Sequence, residues 1–342
     1  MAASTLLQVS DGPLGYEPEP RRDVVRRTIV SLLAVLVLLP FPAATSGQAQ
    51  PGTPADPAAA ILAAHRKIDD SYTRASMSPF TAVAVRYFEP GQTVRLGVGP
   101  SSAAFDPADT MPDGVDVTLQ DGAFWFAPVA GSASPAVLGK SPGGDAAVEP
   151  AVPVTSRVKV SDKQVIRIGR YLIEPLARPD SGNVRVFDPD SAARSAFTGL
   201  KWFPPNLALQ VKAVFTLNPS PDTIIIATSR GLKKEYYRVG TLAFAVEGTP
   251  QKLTVLAMSV SPKAGDELFV PFRDATTGTD TYDVGRYLMF PFQAGRDYAI
   301  DFNAATNPLC NYSPHYNCPI PPRDNVLTAA IRAGEMTYPK PH

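Results

Sequence analysis

The sequence predicts an all-β protein: two consecutive antiparallel β blocks, each sandwich- or barrel-like, preceded by one amphipathic helix. Three observations carry this prediction. From Phe80 onward apolar residues recur with a period of two, as in FTAVAVRYF and NLALQVKAVFTL. Asp-Gly, Pro-Gly and Gly-Thr signals punctuate those runs as turns do. The 36 prolines in 342 residues are roughly twice the average share, and each fixes φ and removes a backbone donor, which opposes long helices. No region alternates strands with regular helices, so a parallel α/β fold is disfavoured.

A hydrophobic content of 44% is enough for a sizeable core, and Lys+Arg and Asp+Glu balance at 32 each. Nucleic-acid binding needs clustered cations to neutralise phosphates. No basic stripe lies outside the N-terminal segment, so nucleic acid is not an expected partner.

Residues 1–49 read as an export signal. Arg21, Arg22, Arg26 and Arg27 precede an apolar run from Ile29 to Leu39, too short for a membrane span of ~20 residues. Pro40 and Pro42 end the run, and Gly47 and Ala49 are spaced as a cleavage site requires. Arg26 to Val30 resembles a twin-arginine signal, with departures at Val25 and Ser31. The expectation is export to the periplasm or beyond, cleavage near Ala49 and a mature form that does not span the membrane. An uncleaved anchor is the alternative.

Residues 50–78 comprise a small-residue linker and the helix. Asp56 suits an N-cap and Pro57 the first helical position. Ile61, His65, Ile68 and Tyr72 then recur at helical spacing to about Arg74, which makes His65 a packed or half-exposed residue rather than a ligand.

The first β block spans residues 79–190. FTAVAVRYF and QTVRLGV flank Glu89-Pro90-Gly91, and VDVTLQ and AFWFAPV flank Asp121-Gly122, so two hairpins are predicted. Residues 130–156 form a Pro/Gly-rich insertion without regular structure. RVKV, QVIRIGRYLIEPLA and NVRVFD then resume the strands. VRLGVGPSSAAFD gives the block a loosely forkhead-associated-like pattern. The arginine and Ser-Arg-x-x-His of such modules are absent, so phosphothreonine recognition is not expected.

The second block spans residues 191–342, entered through a helical turn in DPDSAARSAF. NLALQVKAVFTL and TIIIATS read as two strands. YRVGTLAFAVEG and QKLTVLAMSV make a hairpin about Gly248-Thr249, and ELFVPF and YAIDFN complete the set.

Several motifs fail on inspection. LGKS has Ser134 where a phosphate loop needs its first glycine, and no G-x-S-x-G occurs. Three histidines, one of them the terminal His342, offer few bases for a serine triad. The sequon Asn311-Tyr312-Ser313 is followed by Pro314.

The chemistry concentrates near the C-terminus. FRDATTGTDTYDVGRYL gathers Asp274, Thr276, Thr277, Tyr282, Arg286 and Tyr287 around Gly278 and Gly285, as a tight hairpin would. Asp301 and Asn303 alternate at a strand end and share a side, and Asn307-Pro308 turns the chain. If Arg286 meets Asp274 or Asp301, one reading is a buried ion pair joining the structure together. The other is a polar pocket in which the guanidinium holds a carboxylate or phosphate bidentately.

Cys310 and Cys318, the two cysteines, have seven residues between them and His315 in that interval. An exported chain meets an oxidising compartment, so the expectation is a loop-closing disulfide. A three-ligand metal site and a pair of buried, unbridged thiols are the alternatives. No metal and no cofactor are expected.

FTGLKWFPPN, FVPFRDATTGTDTYDVGRYL, DFNAATNPLCNYSPHYNCPIPP and IRAGE occur in that order between residues 197 and 335. Together they resemble the bacterial and archaeal family called domain of unknown function 1684. QTVRLGVGPSSAAF and GNVRVFD are similar to that family's N-terminal half. The resemblance implies a fold and no activity, and it implies cysteines at 310 and 318 without a histidine at 315. Two functions follow as expectations. The first is a non-catalytic module of the cell envelope that binds a small ligand, a glycan or an envelope partner. The alternative is a hydrolase-like enzyme using Asp274 and Asp301 as acid and base beside Tyr282 and Arg286.

Overall fold

A computed structural model describes residues 56–97, 114–131, 135–141, 147–178, 181–295 and 297–339. The export signal and its cleavage point near Ala49, the linker at 50–55, His342 and most of the forkhead-associated-like segment lie outside the described residues. Sixteen strands, all in antiparallel sheets, follow one long helix among the described residues.

Helix α1 covers Pro57–Arg74. Asp56 caps it by accepting the Ala58 N–H at 3.0 Å, and Pro57 occupies the first turn, where its missing donor costs nothing. Ile61 and His65 are the buried residues of this helix. The imidazole of His65 stacks on Trp202 at 3.9 Å between ring centres, and its Nε2 lies 2.8 Å from the Asn303 carbonyl oxygen. It is packed, as the helical spacing predicts.

The first block holds β1 (Ala82–Phe88), β2 (Thr93–Gly97), β3 (Gly114–Gln120), β4 (Ala123–Pro128) and β5 (Ala136–Lys140). It continues through β6 (Ala147–Pro153), β7 (Val158–Val160), β8 (Gln164–Ile168), β9 (Tyr171–Arg178) and β10 (Ser181–Phe187). Two sheets result, ordered β1-β10-β9-β8-β5-β6 and β2-β3-β4-β7. Their inner faces meet in one core, with Phe88, Ile166 and Ile173 from the first sheet against Leu96, Val117 and Phe124 from the second. Alternate residues point inward from both layers, which is what a sandwich requires.

Two expectations for this block change. Strands β1 and β2 do not form a hairpin: β1 pairs with β10 and β2 with β3. The turn after Glu89 carries the chain from one layer to the other, because the Gly91 N–H donates to Leu119 O at 2.7 Å at the end of β3. Apolar alternation specifies a face, and the neighbour is chosen by which backbone lies alongside. The supposed irregular insertion contains β5 and β6, whose register shifts between Val137 and Gly139. Its prolines Pro150 and Pro153 sit on β6 at the sheet edge, where no ladder donor is needed. The Asp121-Gly122 hairpin forms as predicted, with both residues at positive φ (52° and 65°) as a primed turn demands.

A single turn of helix, α2 (Ala192–Ser195), capped by Ser191, leads to the second block. Its strands are β11 (Gln210–Ala227), β12 (Lys233–Val246), β13 (Thr249–Ala257), β14 (Glu267–Phe272), β15 (Arg286–Pro291) and β16 (Asp297–Asp301). One sheet, ordered β15-β14-β13-β12-β11-β16, curls into a half-barrel. The two strands expected from NLALQVKAVFTL and TIIIATS are one, β11, with its register shifted between Leu217 and Asp222. Pro219 and Pro221 fall in that interval and prevent a regular ladder there. The third hairpin turns on Glu247-Gly248, one residue earlier than read, with φ of 50° and 77°.

A third apolar cluster joins the blocks: Met77, Leu138, Leu172 and Phe187 pack with Ile226, Leu256, Phe269 and Tyr287. No helix among the described residues is long and apolar enough to cross a membrane.

Gly285 is the residue that admits the next strand to this arrangement. Its φ is +116°, and a Cβ there would lie 2.5 Å from Phe272 O and 2.9 Å from Pro321 Cγ. Substitution Gly285→Ala therefore meets both a backbone penalty and overpacking of about 1–3 kcal/mol. Differential scanning calorimetry should register a lowered melting temperature, and an unchanged one would refute the close approach.

Candidate functional site

The loop between β14 and β15 runs from 273 to 285, so the hairpin is not tight. Its polar residues are consumed in folding the loop upon itself. Asp274 Oδ1 accepts the N–H and the hydroxyl of Thr276 at 2.7 and 2.5 Å. The Thr276 hydroxyl lies 3.0 Å from that of Thr281, and Thr277 Oγ1 accepts the Asp274 N–H at 3.0 Å.

Arg286 follows, fully buried at 0% exposure. Its Nη2 donates to Asp274 Oδ2 and to Ile331 O, both at 2.8 Å. Its Nη1 donates to the carbonyls of Ala333 and Glu335. Burial depresses the guanidinium's affinity for its proton, and the neighbouring Asp274 works against that. The guanidinium fork thus holds segment 331–335, which has no strand of its own, against the half-barrel.

The other predicted site residues fall into separate groups. Asp301 accepts from Asn303 N–H and Nδ2 at 2.8 and 2.7 Å and from Gln210 Nε2 at 2.9 Å. Asn303 also exchanges two hydrogen bonds with the Asn206 backbone, at 2.8 and 2.9 Å. Asp301 therefore serves a cap and does not meet Arg286. Asn307 donates its N–H to Glu335 Oε2 and its Nδ2 to Met336 O, each at 2.8 Å. The Tyr282 hydroxyl lies 3.7 Å from Cys310 Sγ, and the Tyr287 hydroxyl donates to Pro319 O. Asp274 and Asp301 sit in different hydrogen-bond networks, one sealed and one spent on a turn.

The expected bridge between Cys310 and Cys318 is absent, a correction to the sequence reading: both are free thiols. The loop is closed by other means. The Cys310 N–H donates to Cys318 Sγ at 3.2 Å, and Cys318 pairs with Ser229 through Cys318 N–H to Ser229 Oγ at 3.1 Å and Ser229 N–H to Cys318 O at 2.9 Å. His315 lies elsewhere in the loop, and burial together with Arg230 and Arg185 lowers its pKa, which favours the neutral ring. Among the described residues no group of three or more His, Cys, Asp or Glu side chains is placed to hold a metal ion.

A concavity among the described residues lies elsewhere, between the blocks. A cleft of about 1260 Å³ is bounded by β1, β9 and β10 on one side and by β12, β14, β15 and the 315–319 loop on the other. Tyr236, Phe269 and Tyr287 form one wall, with ring centres 5.4 and 4.8 Å apart in succession. Arg178, Arg185 and Lys234 supply cations from the two blocks. Arg185 is partly neutralised, bonded at 2.9 Å to Glu174 and stacked 4.1 Å over the Tyr316 ring.

Lys234 is different. It is half-buried and has no ion pair among the described residues. Its pKa is lowered, first by desolvation and further by Arg178 and Arg185, with only Cys318 acting the other way. Asp162, Asp266 and Glu267 also line the cleft, but none of them is among the charges that bear on Lys234. Of the candidate site residues read from sequence, Tyr287, Asn307, His315 and Cys318 line this cleft. Arg178, Arg185 and Lys234 were missed. Each sits in an ordinary strand, and the only local signal was the Lys233-Lys234 pair, which is common at strand starts.

A family model described as "Protein of unknown function (DUF1684)" matches residues 195–336. An uncharacterised protein of Haloarcula marismortui, solved by solution NMR, is 36% identical over 42% of this chain and 80% of its own, with a TM-score of 0.36. A comparison with curated proteins gives no match.

Proposed function

We propose, from the premise that this chain belongs to the family described as Protein of unknown function (DUF1684), that it is an exported, non-catalytic binding module whose inter-block cleft takes a small anion with an apolar or aromatic body. The observation that carries this reading is Lys234, an unpaired and partly desolvated cation facing Arg178 and Arg185 across a void. Lys234 and Arg178, without an ion pair among the described residues, and Arg185, only partly neutralised by Glu174, raise one another's energy, and an anion among them relieves it. The aromatic wall formed by Tyr236, Phe269 and Tyr287 offers rings for edge or face contact with the remainder of the ligand.

Phenyl phosphate and benzoate are suitable anionic probes, with phenyl glucoside as the neutral one. The anions should raise the melting temperature and bind measurably by titration calorimetry. Lys234→Met should weaken them about 10- to 100-fold, the value of one hydrogen bond to a charged group. Equal stabilisation by the glucoside would replace the anion reading with glycan binding, and no response to any probe would overturn the cleft as the site. Release of p-nitrophenol from its phosphate or glucoside, abolished by Asp274→Asn or Asp301→Asn, would overturn the non-catalytic reading in favour of a hydrolase.

A further inference from the structure

We propose that Cys310 and Cys318 are a reversible dithiol–disulfide pair at the edge of the cleft, with Cys310 the attacking thiol and Cys318 the resolving one, and that their reaction partner is a disulfide. The inference stands apart from the anion reading, since it rests on different residues and asks nothing of the ligand.

Geometry gives the two sulfurs unequal roles. Cys310 is partly exposed, whereas Cys318 is 6% exposed. The Cys318 Sγ accepts the Cys310 N–H at 3.2 Å, so the second sulfur already rests against the backbone of the first residue. The neighbours of Cys310 are hydrogen-bonding groups suited to a thiolate: the Cys318 thiol, the Tyr282 hydroxyl at 3.7 Å and the Ser229 hydroxyl. Their sum favours the anion. The hydrogen bond from Cys318 is the largest cause that brings the Cys310 pKa down to about 6 against the opposing effect of burial, while Cys318 is pushed far up. A thiolate at the accessible position beside a protonated, buried thiol is the arrangement that thiol–disulfide exchange requires. No histidine base is needed for it.

The Cys310 thiolate attacks one sulfur of a disulfide R–S–S–R′, forming a mixed disulfide and expelling R–S⁻. The Cys318 thiol gives its proton to that leaving thiolate and attacks Cys310 Sγ. This expels R′–S⁻, which takes a proton from solvent. Two electrons pass from the protein to the incoming disulfide, and the protein keeps one new sulfur–sulfur bond.

The test uses the full chain and glutathione as the probe. Wild-type protein is equilibrated in buffers of varied reduced-to-oxidised glutathione ratio, quenched with an alkylating agent and weighed by mass spectrometry. The expected result is a single transition, losing two hydrogens, that reverses when the ratio is reversed. Cys318→Ser should trap one glutathione on Cys310, and Cys310→Ser should trap none. A bridge that native protein never releases to reduced glutathione would overturn the reversible pair in favour of a structural bond. So would thiols that stay reduced at every ratio. A glutathione trapped in Cys310→Ser but not in Cys318→Ser would reverse the assigned roles and refute the mechanism.

Discussion

Replacing Arg286 by Met should lower the free energy of unfolding by about 3–5 kcal/mol, the cost of leaving a buried charge without its partner. The Asp274 carboxyl, 1% exposed, would then have no cation against it. The carbonyls of Ile331, Ala333 and Glu335 would lose their donor at the same time. This second loss separates Arg286 from a simple ion pair. Buried pairs replaced together by apolar residues often return to neutrality, but Arg286→Met combined with Asp274→Leu should recover only part of the loss. Stranded carbonyls remain in the double variant, at about 1–3 kcal/mol for each buried group left unsatisfied. Urea unfolding reads the result as a lowered midpoint at unchanged slope. Full recovery in the double variant would mean that segment 331–335 is held by something other than the guanidinium.

The second large effect is a pH dependence centred on Glu335. Its carboxyl is fully buried, with Oε1 2.5 Å from the Tyr312 hydroxyl and Oε2 2.8 Å from the Asn307 N–H. Desolvation outweighs these donors and the nearby Arg286, raising the pKa from 4.5 to about 7. The sign follows from that direction. Folding favours the protonated form, so this contribution is complete below about pH 4.5 and is lost as pH rises through about 7. At 1.36 kcal/mol per unit the full effect is about 3 kcal/mol. Glu335→Gln keeps the shape and an acceptor for Asn307 while removing the titration. Between about pH 4 and pH 9 the stability of wild type relative to this variant should fall by about that amount, most of it lost between about pH 4.5 and about 7. Stepped-pH urea titrations of both proteins measure it. A difference that stays flat, or one that grows with pH, would show that the carboxyl is ionised in the fold at neutral pH.

Both residues belong to motifs that the sequence makes conspicuous, yet only part of their meaning was legible there. The run FRDATTGTDTYDVGRYL announces a polar turn between strands, and the pairing of Arg286 with one of two aspartates was foreseeable from charge. Choosing Asp274 over Asp301 was not, because that depends on Asp301 lying beside Gln210 through the pairing of β16 with β11. Glu335 stood in IRAGE without distinction. Its importance comes from Tyr312 and Asn307, brought to it across 23 and 28 positions of chain.

The anion site proposed in the cleft was invisible for a stronger form of the same reason. Arg178 and Arg185 lie on β9 and β10 of the first block, and Lys234 is the second residue of β12 in the second. No period or spacing links them. Likewise the two cysteines suggested a bridge from their proximity and from the expected compartment, whereas the further hydrogen-bonding groups beside them, Ser229 and Tyr282, come from other parts of the chain.

What the sequence determined by itself is local. The alternation that marks the strands, the positive-φ turn at Asp121-Gly122 and the capped helix from Pro57 all arise from interactions within a few residues, so composition and order suffice to specify them. The tertiary structure decided which strand lies beside which, sending β1 to β10 and β2 to β3. It also decided how far each polar group is removed from water. Burial is a property of the surroundings, supplied by residues far away in the chain. It turns Arg286 into a structural clasp, Glu335 into an acid that holds its proton more tightly and Lys234 into a cation without an ion pair among the described residues.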